Sequence, residues 1–354
     1  MTSFVHEDRW KLASHMQKAV RRGLADEAEW AARHLWALDH AYVRTRLAVI
    51  AVEDVAGAEP NRVAEVFQGG WHKKDLEARG GADAIGQAAR DLALCEKDRT
   101  ACELWSCRHW KVDFEAQHGR WDLLTPMEAI DLAWSPDEPW WVRGLAAWRA
   151  MGTRAYSDRN EVLPTVPGDP ELWLEACQER GLTTEQLAVL QTAGKAQHEP
   201  HPVFLPLAWA WRQEARLTDP APTHALLDLG KVGPWLSCAL DGHTAEGRRA
   251  QRILLQNNPQ GAAFLASHGR LEDDAMRALT KLWFWMEGGQ CDRFHVYPQA
   301  QQIAADIRDQ FLAWPQPMDG TEFFQHFGRT PGQWQQARLR ALGYQWQPSN
   351  PRFR

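Results

Sequence analysis

Reactive side chains fall close together in only a few places along the 354-residue chain, and Glu53-Asp54 is the most prominent of them. Adjacent helical residues point about 100° apart, so two such carboxylates do not share a site without help from another element. The favoured reading of the pair is structural, binding arginine or turn amides, over metal or acid–base work. Cys95, Cys102, Cys107 and His109, with His118 beyond them, form the cluster that suggests zinc. Its gaps of six, four and one residues supply no close C-x2-C pair, and zinc favours short paired spacings. Metal: none is therefore the expectation, and no cofactor is expected. Cys177, Cys238 and Cys291 stand alone in the sequence and read as small buried hydrophobes. Asp113-Phe-Glu115 offers a D-x-E pair, whereas a metal nuclease needs several converging carboxylates. An exposed loop or helix edge is the plainer reading. The same acids with the Cys/His cluster define a rival, a metal-dependent nucleic-acid enzyme. G-x-S-x-G, H-E-x-x-H and G-x-x-x-x-G-K-[ST] are all absent from the sequence, so no catalytic residue is assigned.

Basic residues gather in two places. From Gly320 to Arg354 the chain has five arginines (Arg329, Arg338, Arg340, Arg352, Arg354) against one acid, Glu322. Thr330-Pro331 suits a helix start and Gly343 a stop. The segment reads as a small helix-turn-helix-like module that would bring Arg329, Gln333, Gln336, Arg338 and Arg340 to phosphates or base edges. Lys11, His15, Lys18 and Arg22 recur at helical spacing near the N-terminus. Lys18 and Arg22 are the second candidate for DNA contact, although a solvated helix face is the default for such a stripe.

The elements that would position these residues are helical. Leu12, Met16, Ala19 or Val20, and Leu24 make one apolar face; Ala28, Ala31, Leu35 and Leu38 make another; Val43, Leu47, Ile50 and Ala51 make a third. Met276, Leu279, Trp283 and Met286 repeat the spacing before Gly288-Gly289, as do Ala300, Ile303, Ala304, Ile307 and Phe311. Thr183 with Gln186 predicts a capping box. Strand signals are scarce, with Phe294 to Pro298 the main candidate for an extended stretch. The expected fold is all-α, a multi-helix array with the small C-terminal module. Proline-rich punctuation divides it into residues 1–155, 156–315 and 316–354. The 44% hydrophobic and 24% charged composition is that of a globular protein. A net charge of -6 argues against a general nucleic-acid coat without excluding a local basic patch. The 20 tryptophans suit interhelical packing or base stacking equally. Free cysteines, the absence of an apolar segment of about 20 residues and the absence of a leader pattern predict a cytoplasmic protein without membrane contact.

Residues 12–105 resemble the C-terminal helical region of the replication-associated recombination protein A (RarA/MgsA) branch of clamp-loader-like AAA+ ATPases. Ser14-His-Met-Gln17-Lys18-Ala-Val-Arg21-Arg22 is similar to that family's S-A-M-Q-K-A-I-R opening. An Ala-rich helix with Trp30 and Ala31 follows, and then Val43-Arg44-Thr-Arg46-Leu47 through Glu53-Asp54-Val55 resembles A-R-R-L-x-x-x-A-S-E-D-I-G. Ala58-Glu-Pro60 stands for A-D-P, and Leu92-Ala93 through Lys97-Asp98 to Ala101 for L-A-x-x-x-K-S-x-x-A. Ala56 takes the place of the family's glycine, with Gly57 one position later.

The resemblance implies a collar-type assembly region, with Arg44, Arg46, Glu53, Asp54 and Lys97 in structural or assembly roles, and without the ATPase module. The resulting expectation is a non-enzymatic accessory factor of DNA replication or recombination. It would self-associate as a homo-oligomer or dock on replication or recombination proteins, a separate AAA+ ATPase among them, and contact DNA. The alternatives are a protein–protein adaptor or inhibitor without DNA binding and the metal-dependent enzyme named above.

Overall fold

The structure is a computed structural model. It describes residues 9–109, 121–154, 166–196, 199–215, 230–268, 275–276, 279–280, 283–284, 288–289, 291, 297–311 and 337–341. The described residues form an all-α multi-helix array whose sheet is a two-residue antiparallel pair, β1 (Lys231–Val232) with β2 (Trp235–Leu236).

The first three helices are α1 (Arg9–Arg21), α2 (Ala25–Leu38) and α3 (His40–Ile50). Their apolar faces are those expected from spacing: Leu12, Met16, Ala19 and Val20, then Ala28, Ala31 and Leu35, then Val43, Leu47 and Ile50 are all buried. Leu38 departs from the pattern and is exposed. Asp39 caps α3 by accepting from the Tyr42 amide at 2.9 Å. Instead of stopping, α3 widens into a π-helical turn over Ala51–Val55, closed by the Ala56 amide donating to the Ala51 carbonyl at 2.8 Å.

Next come α4 (Pro60–Phe67), α5 (Lys73–Ala78), α6 (Ala82–Leu94) and the short α7 (Thr100–Leu104). Between α6 and α7, the Asp98 amide donates to the Asp54 carbonyl at 3.0 Å, pinning that connection to the π turn. Lys97 is fully buried, and its Nζ donates to the carbonyls of Ala93 and Cys95 at the end of α6, as cations do at helix C-termini. Arg44 and Trp71 lock α3 to the connection after α4: Arg44 Nη1 donates to the Trp71 carbonyl at 3.1 Å and Trp71 Nε1 to the Arg44 carbonyl at 3.0 Å.

The remaining helices are α8 (Pro126–Trp134), α9 (Trp140–Met151), α10 (Pro170–Glu179), α11 (Thr184–Gln191), α12 (His201–Glu214), α13 (Ala245–Gln256), α14 (Pro259–His268) and α15 (Pro298–Phe311). The capping box of Thr183 and Gln186 opens α11 as expected, and Thr125 with Glu128 forms another at α8. One buried apolar cluster runs from Leu12 to Leu339 and takes residues from all three sequence segments. Tryptophan supplies much of it, with Trp148, Trp173 and Trp211 essentially inaccessible. Among the described residues no helix is long and apolar enough to cross a membrane.

Candidate functional site: a buried charge network beneath an open cleft

Glu53 and Asp54 lie on the π turn, and both are buried. The wider turn and the packing of α1 and α7 against it turn both carboxylates towards a pair of arginines. Arg21 Nε donates to both oxygens of Asp54 at 2.9 Å, its Nη2 donates to Glu53 at 2.7 Å, and its Nη1 donates to the Gly288 carbonyl at 2.7 Å. Arg99 closes the square: its Nε is 3.1 Å from Asp54, its Nη2 is 3.4 Å from Glu53, and its Nη1 donates to the Gly289 carbonyl at 3.2 Å. Gln17 donates to the second Glu53 oxygen at 2.9 Å, and the Cys102 thiol lies 3.3 Å from the first. Arg21 and Arg99 both stand over the Phe284 ring.

Two arginines against two carboxylates leave this core of the network formally neutral, as burial of charge requires. Burial raises the Glu53 carboxyl, but Arg21, with His201, Arg99 and Arg46 behind it, outweighs that and holds it well below the usual carboxylate range. Asp54 moves up, because burial and the adjacent Glu53 charge exceed the pull of Arg21. Burial also pushes the Cys102 thiol well up, so it is a hydrogen-bonding thiol and not a thiolate nucleophile. Among the described residues no group of three or more His, Cys, Asp or Glu side chains is placed to hold a metal ion.

A cleft of about 420 Å³ opens above the network. Trp10, Ser14, Gln17, Lys18 and Arg21 of α1 line one wall and Tyr42 and Arg46 of α3 another, with Glu53 below. Glu199, Phe284, and Gly242, His243 and Arg248 at the start of α13 close it. The two helices run parallel here. Trp10 meets Tyr42 edge to face at one end, Gln17 meets Arg46 in the middle, and Arg21 meets Asp54 at the far end.

The sequence-predicted residues fall unevenly on this geometry. Glu53 and Asp54 sit at the centre, Arg46 lines the cleft, and Arg44 and Lys97 hold neighbouring chain segments in place. The exposed basic stripe on α1 is corrected: Lys18 and Arg22 are buried, as is His15. Lys18 Nζ donates to Asp241 at 2.5 Å, which outweighs the effect of burial and holds that carboxyl well below its ordinary range. His15 accepts from the Leu236 amide at 3.2 Å on Nδ1, leaving Nε2 to face Glu27 at 3.1 Å. Asp241 and Leu236 thus take up Lys18 and His15, and Arg22 is 6% exposed, so the stripe is not a solvent-facing basic surface for a DNA backbone.

Arg338 is corrected in the same way. It is 1% exposed, donates to the carbonyls of Leu240 and Ser237 at 2.6 and 2.8 Å, and stacks over Trp283 at 4.0 Å. Arg340, two positions on, is exposed. Arg329, Gln333, Gln336 and the rest of the 316–354 module apart from residues 337–341 lie outside the described residues, as do His118, Asp113, Glu115 and the Phe294–Val296 stretch.

Spacing did not single out Gln17, Arg21, Arg99, Asp241 or Arg248, and it placed Cys102 only in the Cys/His cluster weighed for zinc. Gln17, Arg21 and Arg99 do lie inside the segments that carry the family resemblance, which was the available signal. In comparisons with known proteins, the chain matches no family model, no curated protein and no solved structure.

Proposed function

We propose that this chain is a non-enzymatic accessory factor of DNA replication or recombination. In this reading it is a helical scaffold that self-associates or docks on replication proteins, a separate AAA+ ATPase among them, and contacts DNA. One observation carries it. The residues quoted for the collar resemblance are scattered over residues 14–101, yet Gln17, Arg21, Glu53, Asp54 and Arg99 meet in one buried network. An intact collar-type unit would need its polar positions to meet in this way, and that meeting supports the reading. DNA contact then falls to the C-terminal arginines with exposed or undescribed side chains, Arg329, Arg340, Arg352 and Arg354. The burial of Lys18, Arg22 and Arg338 favours a second reading, a protein–protein adaptor that makes no DNA contact.

Light scattering on the full-length chain, with and without a forked DNA, tests the proposal. A single chain has a mass of 40.4 kDa. The expected result is a defined multiple of that mass together with a stable protein–DNA species. A monomer that leaves the DNA unbound at tens of micromolar protein would remove both self-association and DNA contact.

A further inference from the structure

The cleft sorts its lining by chemistry along its length. At one end Trp10, 53% exposed, and Tyr42 stand edge to face with centroids 5.5 Å apart. Towards the other end the lining turns cationic, with Lys18, Arg21, Arg46 and Arg248 and the exposed His243. Pairing accounts for most of this charge. Arg21 faces Glu53, Lys18 and His243 face Asp241, and Arg46 lies 3.5 Å from Glu199. Asp54 is balanced from behind by Arg99. Arg248 is different. Its Nη1 donates to the Gly242 and His243 carbonyls at 3.2 and 3.1 Å, and among the described residues its partners are these uncharged oxygens. The cleft therefore has an aromatic end, and a basic end whose surplus positive charge sits on an exposed arginine.

We propose that this cleft is a nucleotide site, with the base against Trp10 and Tyr42 and the phosphates held by Arg248 and Arg46. The dimensions fit that ligand. The rise along α1 from Trp10 is about 10 Å to Gln17, which Arg46 meets, and about 12 Å to Lys18. Asp241, the partner of Lys18, adjoins the carbonyls held by Arg248, and this length suits a nucleoside phosphate laid lengthwise. The volume of about 420 Å³ lies within the range of small-molecule sites. The exposed Trp10 indole, with the half-buried Tyr42 ring at its edge, supplies sequence-tolerant stacking, and an arginine fork suits a phosphate. The ligand is a free nucleotide or the phosphorylated terminal nucleotide of a strand, which share this chemistry. The inference is independent of the assembly reading, because it needs neither self-association nor the C-terminal arginines.

The test is titration calorimetry of the full-length chain with ATP, adenosine, inorganic triphosphate and a 5′-phosphorylated tetranucleotide. ATP or the tetranucleotide should bind, with adenosine and triphosphate each at least about tenfold weaker, since each lacks one half of the contacts. The tighter of the two binders identifies whether a free nucleotide or a strand end is the ligand. Trp10→Ala and Arg248→Gln alter exposed side chains, so both variants should keep the wild-type melting temperature while each weakens binding at least about fivefold. Arg62→Ala, on the exposed face of α4, should leave binding unchanged. The proposal is overturned by absence of binding to both nucleotide probes, by triphosphate binding as tightly as ATP, or by full affinity in both cleft variants.

Discussion

Replacing Arg21 with methionine keeps most of its volume but removes every donor it places in the network. In the wild type its guanidinium meets both oxygens of Asp54 at 2.9 Å, Glu53 at 2.7 Å and the Gly288 carbonyl at 2.7 Å, at 1% exposure. In the variant Arg99 remains 3.1 Å from Asp54 and Gln17 still donates to Glu53 at 2.9 Å. Two buried carboxylates then share one arginine, and a buried carbonyl loses its partner. Breaking a buried pair from one side costs about 3–5 kcal/mol. The surviving contacts keep the loss within that range, below the sum of the individual charge-assisted bonds. For a chain of this size each kcal/mol moves the melting temperature by about 2 °C, so Arg21→Met should melt roughly 6–10 °C lower. Calorimetry at pH 7 reads this directly. Arg21→Met/Asp54→Asn removes both partners and should cost less than the sum of the two single changes. A variant within about 1 °C of wild type, or strictly additive single changes, would refute the network as the element that holds the π turn to α1 and α7.

Further outcomes follow from other buried groups. His201 is 1% exposed, and burial lowers its pKa from 6.5 to about 4. The unfolded chain therefore takes up a proton below pH 6.5 that the native imidazole refuses until about pH 4. Stability should drop across that window by about 3 kcal/mol, and denaturant titrations at pH 7 and 4.5 should show the drop reduced in His201→Gln. Glu103 behaves oppositely. Burial raises it to about 7, and its Oε2 finds no hydrogen-bond partner among the described residues. Its contribution is complete below about pH 4.5 and is lost as pH rises through 7, so Glu103→Gln should raise the melting temperature at pH 8 and leave it unchanged at pH 4. Gly152 ends α9 at φ 107°, and a Cβ there would meet the Pro167 carbonyl oxygen at 2.0 Å. Gly152→Ala should therefore destabilise by several kcal/mol in chemical denaturation, far beyond an ordinary helix-end substitution.

Local periodicity made the helices legible. Leu12, Met16, Val20, Ala28, Ala31, Leu35, Val43, Leu47 and Ile50 are buried because a 3.6-residue repeat places them on one side of each helix. The capping box at Thr183 needs only four consecutive residues and was equally readable. The polar positions were not legible in this way. Lys18 looked solvent-facing because its partner, Asp241, lies 223 residues away, and Arg338 meets carbonyls about 100 residues upstream. Glu53 and Asp54 were expected to diverge by about 100° on a regular helix. No composition rule announces the π turn and the flanking arginines that bring them to shared partners. The cleft was invisible for the same reason, since it joins α1 and α3 to residues 199, 242–248 and 284.

Salt-dependent anisotropy of a labelled fork tests the replication-accessory account most directly. It compares the full-length chain with a variant carrying glutamate at positions 329, 340, 352 and 354, which leaves buried Arg338 in place. The account predicts tight binding at low salt that weakens steeply as salt rises and is lost in the glutamate variant. Binding by neither protein, or equal binding by both, would contradict it.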